Sequence, residues 1–86
     1  MDFECTAKLT NKYGLHARPA TLFVETCNRF PCDVVVLKEG QEVNGKSIMG
    51  IMMLAAECGS QIILQVEGDD AQEAIEELED FLNKET

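Results

Sequence analysis

Apolar and polar residues alternate along two segments of the chain, residues 3–10 and 61–67. A period of two is typical of a β-strand that has one buried and one solvated face. A third segment, residues 33–38, contains a run of β-branched residues, and the following glutamate and glycine predict a turn into a short segment at 41–44. The pattern therefore predicts four strands, of which the middle two form a hairpin.

Between these strands the apolar positions change to the three- and four-residue spacing of an amphipathic helix. The first predicted helix starts close to His16 and ends before Pro31, because proline cannot continue a helix. The last helix follows the fourth strand, and Asp70 with Glu73 predicts a capping box at its start. The predicted core positions of these two helices are Ala20, Phe23, Val24, Cys27, Ala74, Ile75, Leu78, Phe81 and Leu82.

The second predicted helix, residues 48 to about 58, is unusually apolar. Ser47 is its expected N-cap and Gly59 its expected left-handed stop. Its apolar residues form a first stripe of Ile51, Leu54 and Cys58 and a second stripe of Ile48, Met49, Met52 and Ala56. Because one stripe suffices to contact a core, the second is either extra core packing or an exposed patch. We favour a patch that docks partner proteins, since methionine adapts to several partners.

The elements follow one another as strand, helix, strand, strand, helix, strand, helix. Half-buried alternating strands favour an antiparallel sheet with helices on one face, and the order therefore predicts the α+β class. The 86 residues of the sequence leave room for a single domain, residues 1–86, with one thin core.

Charge and composition exclude several classes of function. The chain carries 7 lysines and arginines against 16 aspartates and glutamates, a net charge of −9, so we expect neither nucleic acid nor a membrane surface as a partner. It opens without a charged-then-apolar leader and contains no apolar run long enough to span a bilayer, so we expect a cytoplasmic protein. The 4 cysteines should then be reduced. Their spacing does not suggest a metal site, and we expect no cofactor.

The single histidine, His16, stands where a glycine-containing loop meets the first helix, and Arg18 follows two residues later. The unpaired N–H groups at a helix start stabilise anions, and an arginine can add two parallel contacts to a phosphate. A neutral imidazole is a good nucleophile near pH 7, because its ordinary pKa is about 6.5. This set suits a phosphoryl acceptor, but position alone does not decide, because a lone histidine beside a helix start is more often an ordinary surface or capping residue.

Two motifs identify a family resemblance. The segment Gly14-Leu15-His16-Ala17-Arg18-Pro19-Ala20 resembles the active-site loop of HPr, the histidine-containing phosphocarrier of the phosphoenolpyruvate-dependent sugar phosphotransferase system. A second segment, Lys46-Ser47-Ile48-Met49-Gly50-Ile51-Met52, resembles the regulatory serine region of those HPr proteins that an HPr kinase phosphorylates. Length, motif spacing and order of elements agree with this family across nearly the whole chain.

The resemblance implies an HPr-like open-faced β-sandwich, a four-stranded antiparallel sheet covered on one face by three helices. It implies a phosphoryl carrier and not an enzyme, in which His16 accepts the phosphoryl group from enzyme I and Arg18 stabilises its charge. Sugar-specific enzyme IIA domains would be the acceptors, and Ile48, Met49 and Met52 would dock these partners. Regulatory phosphorylation at Ser47 would add an HPr kinase/phosphorylase and a transcriptional regulator as partners.

The chain also departs from the family pattern at three positions. Glu25 and Asn28 stand on the first helix where HPr proteins often carry a basic residue, and Ala55 stands where many have glycine. Two alternatives therefore stay open. One is a regulatory HPr paralogue that is phosphorylated but signals to other proteins without feeding sugar uptake. The other is a binding module that uses the second-helix patch and in which His16 has no chemical role.

Overall fold

A computed structural model describes residues 2–8, 17–57 and 59–83 of the chain. Over these residues the element order agrees with the order predicted from the sequence. The strands and helices are β1 (Asp2–Lys8), α1 (Ala17–Asn28), β2 (Asp33–Lys38), β3 (Gln41–Asn44), α2 (Ile48–Leu54), β4 (Gln61–Glu67) and α3 (Ala71–Asn83). The end of the first predicted strand, at residues 9 and 10, lies outside the described residues.

The four strands form one antiparallel sheet in the order β1-β4-β2-β3. The register places Val66 of β4 opposite both Phe3 of β1 and Val34 of β2, so apolar positions line up across the sheet. Alternation then directs one set of side chains towards the helices and leaves the opposite face open. This architecture confirms the predicted α+β class and the four-stranded antiparallel sheet.

The core lies between this sheet and the helices. Phe23 of α1 and Phe81 of α3 meet edge to face, with ring centroids 5.8 Å apart, and so join two helices above the sheet. Burial of each large aliphatic or aromatic side chain contributes about 1.5–3 kcal/mol. The largest fully buried side chains are Phe23, Ile51, Ile62, Leu64, Leu78, Leu82, Val34, Val36, Val66 and Cys27.

Gly45 determines how the chain passes from β3 to α2. Its amide donates to the carbonyl oxygen of Val34 at 2.8 Å, which brings the two backbones together. A Cβ atom at this position would lie 2.6 Å from Val34 Cγ1, closer than such atoms approach in proteins. Only glycine therefore allows the approach that places the next residues at the start of α2.

Two local predictions are wrong. The helix α2 ends at Leu54 and not near residue 58, and Ala55, with φ 53° and ψ 42°, takes the left-handed role that was assigned to Gly59. Leu54 and Ala56 are both buried, and residues two apart cannot face the same side of a helix, so the chain leaves the helix between them. The second wrong prediction is the capping box at Asp70. The Asp70 carbonyl accepts the first hydrogen bond of α3, from the Ala74 amide, but the φ of Asp70 is 62°, whereas a capping box needs an extended backbone at this position.

Candidate functional site

The start of α1 is the first part of the predicted site that the structure describes. The helix begins at Ala17, and its first turn contains Arg18 and Pro19 but no acidic residue. Pro19 suits this turn because its missing N–H has no partner to lose there. Arg18 is exposed. His16 lies outside the described residues, so its predicted place beside Arg18 stays a prediction.

Arg18 differs from the other basic side chains in its surroundings. Arg29 pairs with Glu77, Lys38 Nζ donates to the Ala55 carbonyl at 3.2 Å, and Lys46 Nζ donates to the Phe30 carbonyl at 2.7 Å. Among the basic side chains that the structure describes, Arg18 alone makes no hydrogen bond or ion pair. A cation at the positive end of a helix is unfavourable by about 0.3–1 kcal/mol, and no carboxylate in the first turn offsets it. The start of α1 is therefore a locally electropositive position in an acidic chain.

Ser47 is the N-cap of α2, as predicted. Its backbone is extended, with φ −108° and ψ 117°, and its Oγ accepts from the Gly50 amide at 3.1 Å. Asn44 holds the preceding turn, because its carbonyl accepts from the Ser47 amide at 3.1 Å and its Oδ1 from the Lys46 amide at 2.9 Å. The side chain of Ser47 is half-buried, at the edge of the surface where α2 is most exposed.

The outer side of α2 carries an exposed apolar patch, which we call the α2 patch and define as Ile48, Met49, Met52 and Met53. Their exposed fractions are 36%, 72%, 50% and 68%, while Ile51 and Leu54 on the other side are buried. The first three residues were predicted here. Met53 was missed, although its spacing of four from Met49 was a usable signal.

Ala56 was predicted to belong to the same stripe, but it is fully buried, because the helix has ended before it. Leu22 of α1, which is 40% exposed, was not predicted as a surface residue. The docking role of the α2 patch itself stays a prediction.

Asn28, where the family resemblance led us to expect a basic residue, joins two elements. Its Nδ2 donates to the Val24 carbonyl at 2.9 Å within α1 and to the Lys46 carbonyl at 3.4 Å in the segment before α2. Together with the bond from Lys46 to Phe30, it ties the end of α1 to the turn that presents Ser47. Asn28 therefore has a structural role in this chain, whereas Glu25 is exposed on the surface of α1.

Cys27 and Cys32 are free thiols in the core. Burial raises the pKa of Cys27 from 9.0 to about 12 and also raises the pKa of Cys32. Both thiols are therefore protonated and unreactive at neutral pH.

Within the described ranges, no three His, Cys, Asp or Glu side chains lie together in a way that could hold a metal ion. No helix in the same ranges has the length and apolar character needed to cross a membrane.

Comparison with known proteins gives consistent matches over most of the chain. Residues 3–84 match the protein-family model described as "PTS HPr component phosphorylation site". The chain is 54% identical over 74 residues to the HPr-like protein Crh of Halalkalibacterium halodurans, which covers 86% of this chain and 88% of that protein. It is 47% identical over 76 residues to the phosphocarrier protein HPr of Neisseria meningitidis, covering 88% and 85% of the two chains.

A solved structure shows the same fold. The crystal structure of a phosphocarrier protein HPr from Bacillus anthracis superimposes with a TM-score of 0.93 at 47% identity, covering 94% of this chain and 96% of that one.

Proposed function

Because the chain belongs to the HPr family of phosphoryl carriers, we propose that His16 accepts a phosphoryl group from phosphorylated enzyme I and donates it to sugar-specific enzyme IIA proteins. The family consists of carriers and not of catalytic enzymes, and its general partners are the proteins of the phosphotransferase system. The proposal treats residues 1–86 as one such domain that works in the cytoplasm and holds no cofactor or metal.

The observation that supports this proposal most directly is that Arg18, in the first turn of α1, has no hydrogen-bond or ion-pair partner among residues 2–8, 17–57 and 59–83. A phosphoryl group on the imidazole two residues earlier adds negative charge next to this cation and to the free N–H groups of the helix start. Because Arg18 has no partner among the described residues, it can turn to that charge without breaking a bond to any of them. The interaction is strongest when the phosphoryl group is present or in transfer, which is when a carrier needs it.

The α2 patch is the proposed docking surface for donor and acceptor proteins. Ile48, Met49 and Met52 expose apolar surface without contributing to the core, so their burial by a partner would release water at little cost to the fold. Flexible methionine side chains can fit more than one partner surface, as a carrier that visits enzyme I and an acceptor in turn requires.

Ser47 is the proposed site of regulatory phosphorylation by an HPr kinase. Its Oγ already lies at the positive end of α2, so a phosphate there keeps a favourable interaction with the helix. The same phosphate would stand beside Ile48, where a partner covering the α2 patch must remove water from it. Phosphorylation would thus weaken docking more than folding. A transcriptional regulator that binds the phosphorylated form would be a further partner.

A regulatory role without sugar uptake is the second candidate, and the 54% identity to an HPr-like protein Crh favours it. In that role His16 or Ser47 would be phosphorylated, and the recipient of the signal would be a protein other than an enzyme IIA. The two candidates differ in a measurable step, because only the carrier passes its phosphoryl group to an enzyme IIA domain.

The first test is phosphorylation with phosphoenolpyruvate and enzyme I, followed by intact mass measurement of the wild type, His16→Ala and Ser47→Ala. We expect one phosphoryl group, labile in acid and stable in alkali, on the wild type and on Ser47→Ala, and none on His16→Ala. Labelling of His16→Ala at the wild-type level would contradict the proposed acceptor.

A second step adds an enzyme IIA domain to the phosphorylated protein. Loss of the group from the carrier and its appearance on the acceptor support transport, and retention supports the regulatory candidate. A third candidate, a binding module that uses only the α2 patch, requires that no phosphoryl group is accepted at all.

A further inference from the structure

The sheet face that the helices leave uncovered carries its own apolar centre. Val35, Leu37 and Ile63 occupy positions on this face and are half-buried, although none of the three helices that the structure describes lies on this side of the sheet. Leu37 lies directly opposite Ile63 in the register, and Val35 lies opposite Gln65, next along the same strands. These three side chains form one continuous surface, which we call the open-face patch. Contiguous apolar residues on a solvent-facing sheet are a common mark of an interaction surface.

Carboxylates surround the open-face patch. On one side of the patch, Glu4 of β1 lies opposite Gln65, and Gln65 Nε2 donates to Glu4 Oε2 at 2.7 Å. On the other side, Glu42 of β3 lies opposite Leu37. Asp33 and Glu67 are direct cross-strand neighbours, which places two like charges opposite each other and destabilises the pair. Two lysines occur only towards the opposite end of the sheet: Lys8 of β1 lies opposite Gln61 in the register, and Lys38 lines the concavity at that end while its Nζ donates to the Ala55 carbonyl. Neither is a cross-strand neighbour of Asp33 or Glu67, so the negative charge of this pair is not offset by them.

The same face also contains two concavities. A concavity of about 290 Å³ is lined at one end by Glu4, Asp33 and Glu67 together with Val35 and Gln65. A second concavity, of about 520 Å³, is lined at the other end by Leu37 and Ile63 and by the β2–β3 turn. Because consecutive outward positions of β4 line the two concavities, they lie end to end along this strand. A strand of seven residues spans roughly 23 Å, enough to receive an extended segment of a partner.

We propose that this open face docks a partner protein through an extended basic segment that alternates lysine or arginine with aliphatic residues. The basic residues would neutralise Asp33 and Glu67, and the aliphatic residues would cover the open-face patch. A second copy of this chain is disfavoured as the occupant, because it would bring the same carboxylates and a further net charge of −9 to the interface. The helices lie on the opposite face, so this docking leaves Arg18 and the α2 patch accessible.

The proposal can be tested with a synthetic decapeptide of alternating lysine and valine, blocked at both ends, titrated into the full chain and followed by amide chemical shifts. We expect shifts concentrated on β2 and β4 and no comparable response to the same peptide with glutamate in place of lysine. The combined variant Val35→Thr/Leu37→Thr/Ile63→Thr should weaken binding at least about fivefold, since it removes apolar surface but keeps strand-forming side chains.

Charge is tested separately with Asp33→Asn/Glu67→Gln, which should also weaken binding at least about fivefold and flatten its dependence on salt. The matched control is Glu76→Gln/Glu79→Gln, which removes two exposed charges from α3 on the other side of the molecule. Equal weakening by the control pair would overturn the proposal, because the peptide would then sense only net charge. This charge test stands even where the threonine variant fails to fold.

Two further readouts distinguish this docking surface from a phosphotransfer surface and from a dimer interface. Phosphorylation by enzyme I should proceed at the same rate in the wild type and in both open-face variants. Peptide binding is measured without enzyme I, so its outcome is independent of the proposed carrier function. In sedimentation of the unliganded chain, any self-association should be the same for the wild type and the threonine variant, because the proposal assigns this face to another partner. A dimer that the threonine variant abolishes would overturn the proposal and assign the face to a second copy.

Discussion

Arg18 combines a position that is unfavourable for folding with the role in phosphoryl transfer that we propose for it. It places a cation at the positive end of α1, and unlike Arg29, Lys38 and Lys46 it has no partner within the described part of the protein. Such a local conflict is typical of a functional position. The same logic applies to Ala55, whose left-handed backbone is unfavourable for any residue with a Cβ atom.

Replacement of Arg18 by alanine should therefore slow phosphoryl transfer without harming the fold. We expect kcat/KM for phosphorylation by enzyme I to fall about 10- to 100-fold, because a charge-assisted contact to the phosphoryl group is lost. The free energy of unfolding should stay the same or rise by up to about 1 kcal/mol, since the helix start loses an unfavourable cation. Arg29→Ala, just beyond the end of the same helix, is the control, because it changes the net charge equally. Equal rates for the two variants would remove Arg18 from the site.

The left-handed conformation of Ala55 predicts a stabilising substitution. Ala55→Gly should raise the free energy of unfolding by about 0.5–1 kcal/mol, because relief of the φ 53° backbone outweighs the greater freedom of glycine in the unfolded chain. Ala56→Gly, one residue later, is the matched control and should destabilise, because that side chain is fully buried. Urea unfolding of the three proteins decides the question, and a loss of stability in Ala55→Gly would contradict it.

The buried thiol of Cys27 predicts how stability depends on pH. Its pKa is raised from 9.0 to about 12, so above pH 9 the unfolded chain releases a proton that the folded chain retains. The unfolded state is thereby favoured, and this thiol lowers the free energy of unfolding by up to about 1.4 kcal/mol for each pH unit in that window. Below pH 9 the contribution of the thiol to stability is fully present.

Cys27→Ala isolates this effect from the titration of other groups. The variant should be less stable than the wild type at neutral pH, because it leaves a small cavity, but its stability should decline less steeply above pH 9. The measurement is urea unfolding of both proteins at neutral pH and at two alkaline values. Parallel declines would show that the thiol does not titrate as its burial requires.

Among the elements, α2 most clearly separates residues that belong to the core from residues of the proposed docking surface. One side of this seven-residue helix, with Ile51 and Leu54, belongs to the core, and the other side is the α2 patch. Ser47 stands at the end where the two roles meet. A charge at its position acts on the helix and on an approaching partner in opposite directions, which makes α2 suited to regulation.

Ser47→Asp should therefore leave folding intact and impair transfer from enzyme I. The carboxylate can keep an acceptor for the Gly50 amide and gains about 0.3–1 kcal/mol from the helix dipole. A partner that buries Ile48 beside it must remove water from this charge, so KM for the carrier should rise. Gln72→Glu on α3 is the control for net charge. Equal transfer rates, or a loss of stability parallel to the loss of rate, would argue against a docking switch.

At the scale of the whole molecule, the excess of acidic over basic residues affects stability. The net charge of −9 opposes compaction, and the ion pair between Arg29 and Glu77 is exposed. An exposed pair contributes little, so the overall repulsion dominates the response to salt. Raising NaCl from about 0.01 M to about 0.15 M should therefore increase the unfolding temperature by several degrees.

Replacing two glutamates on the outer face of α3 by lysine tests whether net charge causes this salt dependence of the unfolding temperature. Glu76→Lys/Glu79→Lys should unfold at a higher temperature than the wild type in low salt and should respond less to added salt. Thermal unfolding monitored by circular dichroism at the two ionic strengths is sufficient. An unfolding temperature that falls with salt in the wild type would mean that local attraction, and not net repulsion, controls the stability.

The elements of the fold and its class could be predicted from the sequence, because they follow from short-range periodicity. Alternation predicted β4 at residues 61–67, a β-branched run and a turn predicted the hairpin at 33–44, and the capping preference of serine predicted the start of α2 at Ser47. The motif around His16 led to the HPr family, which the family match over residues 3–84 confirms. Each of these signals is local, so a single chain suffices to recognise it.

The tertiary structure decided what depends on contacts between distant residues. The end of α2 at Leu54 follows from the burial of Ala56, which the helical pattern placed on the outer stripe. The role of Asn28 depends on a carbonyl 18 positions away. That Arg18 lacks a partner in the described part of the chain emerges only when the partners of Arg29, Lys38 and Lys46 are located. The open-face patch likewise depends on strand register, because Leu37 and Ile63 become neighbours only in the folded sheet. Periodicity along a chain determines which elements form, whereas long-range packing determines where they end and which side chains remain available for function.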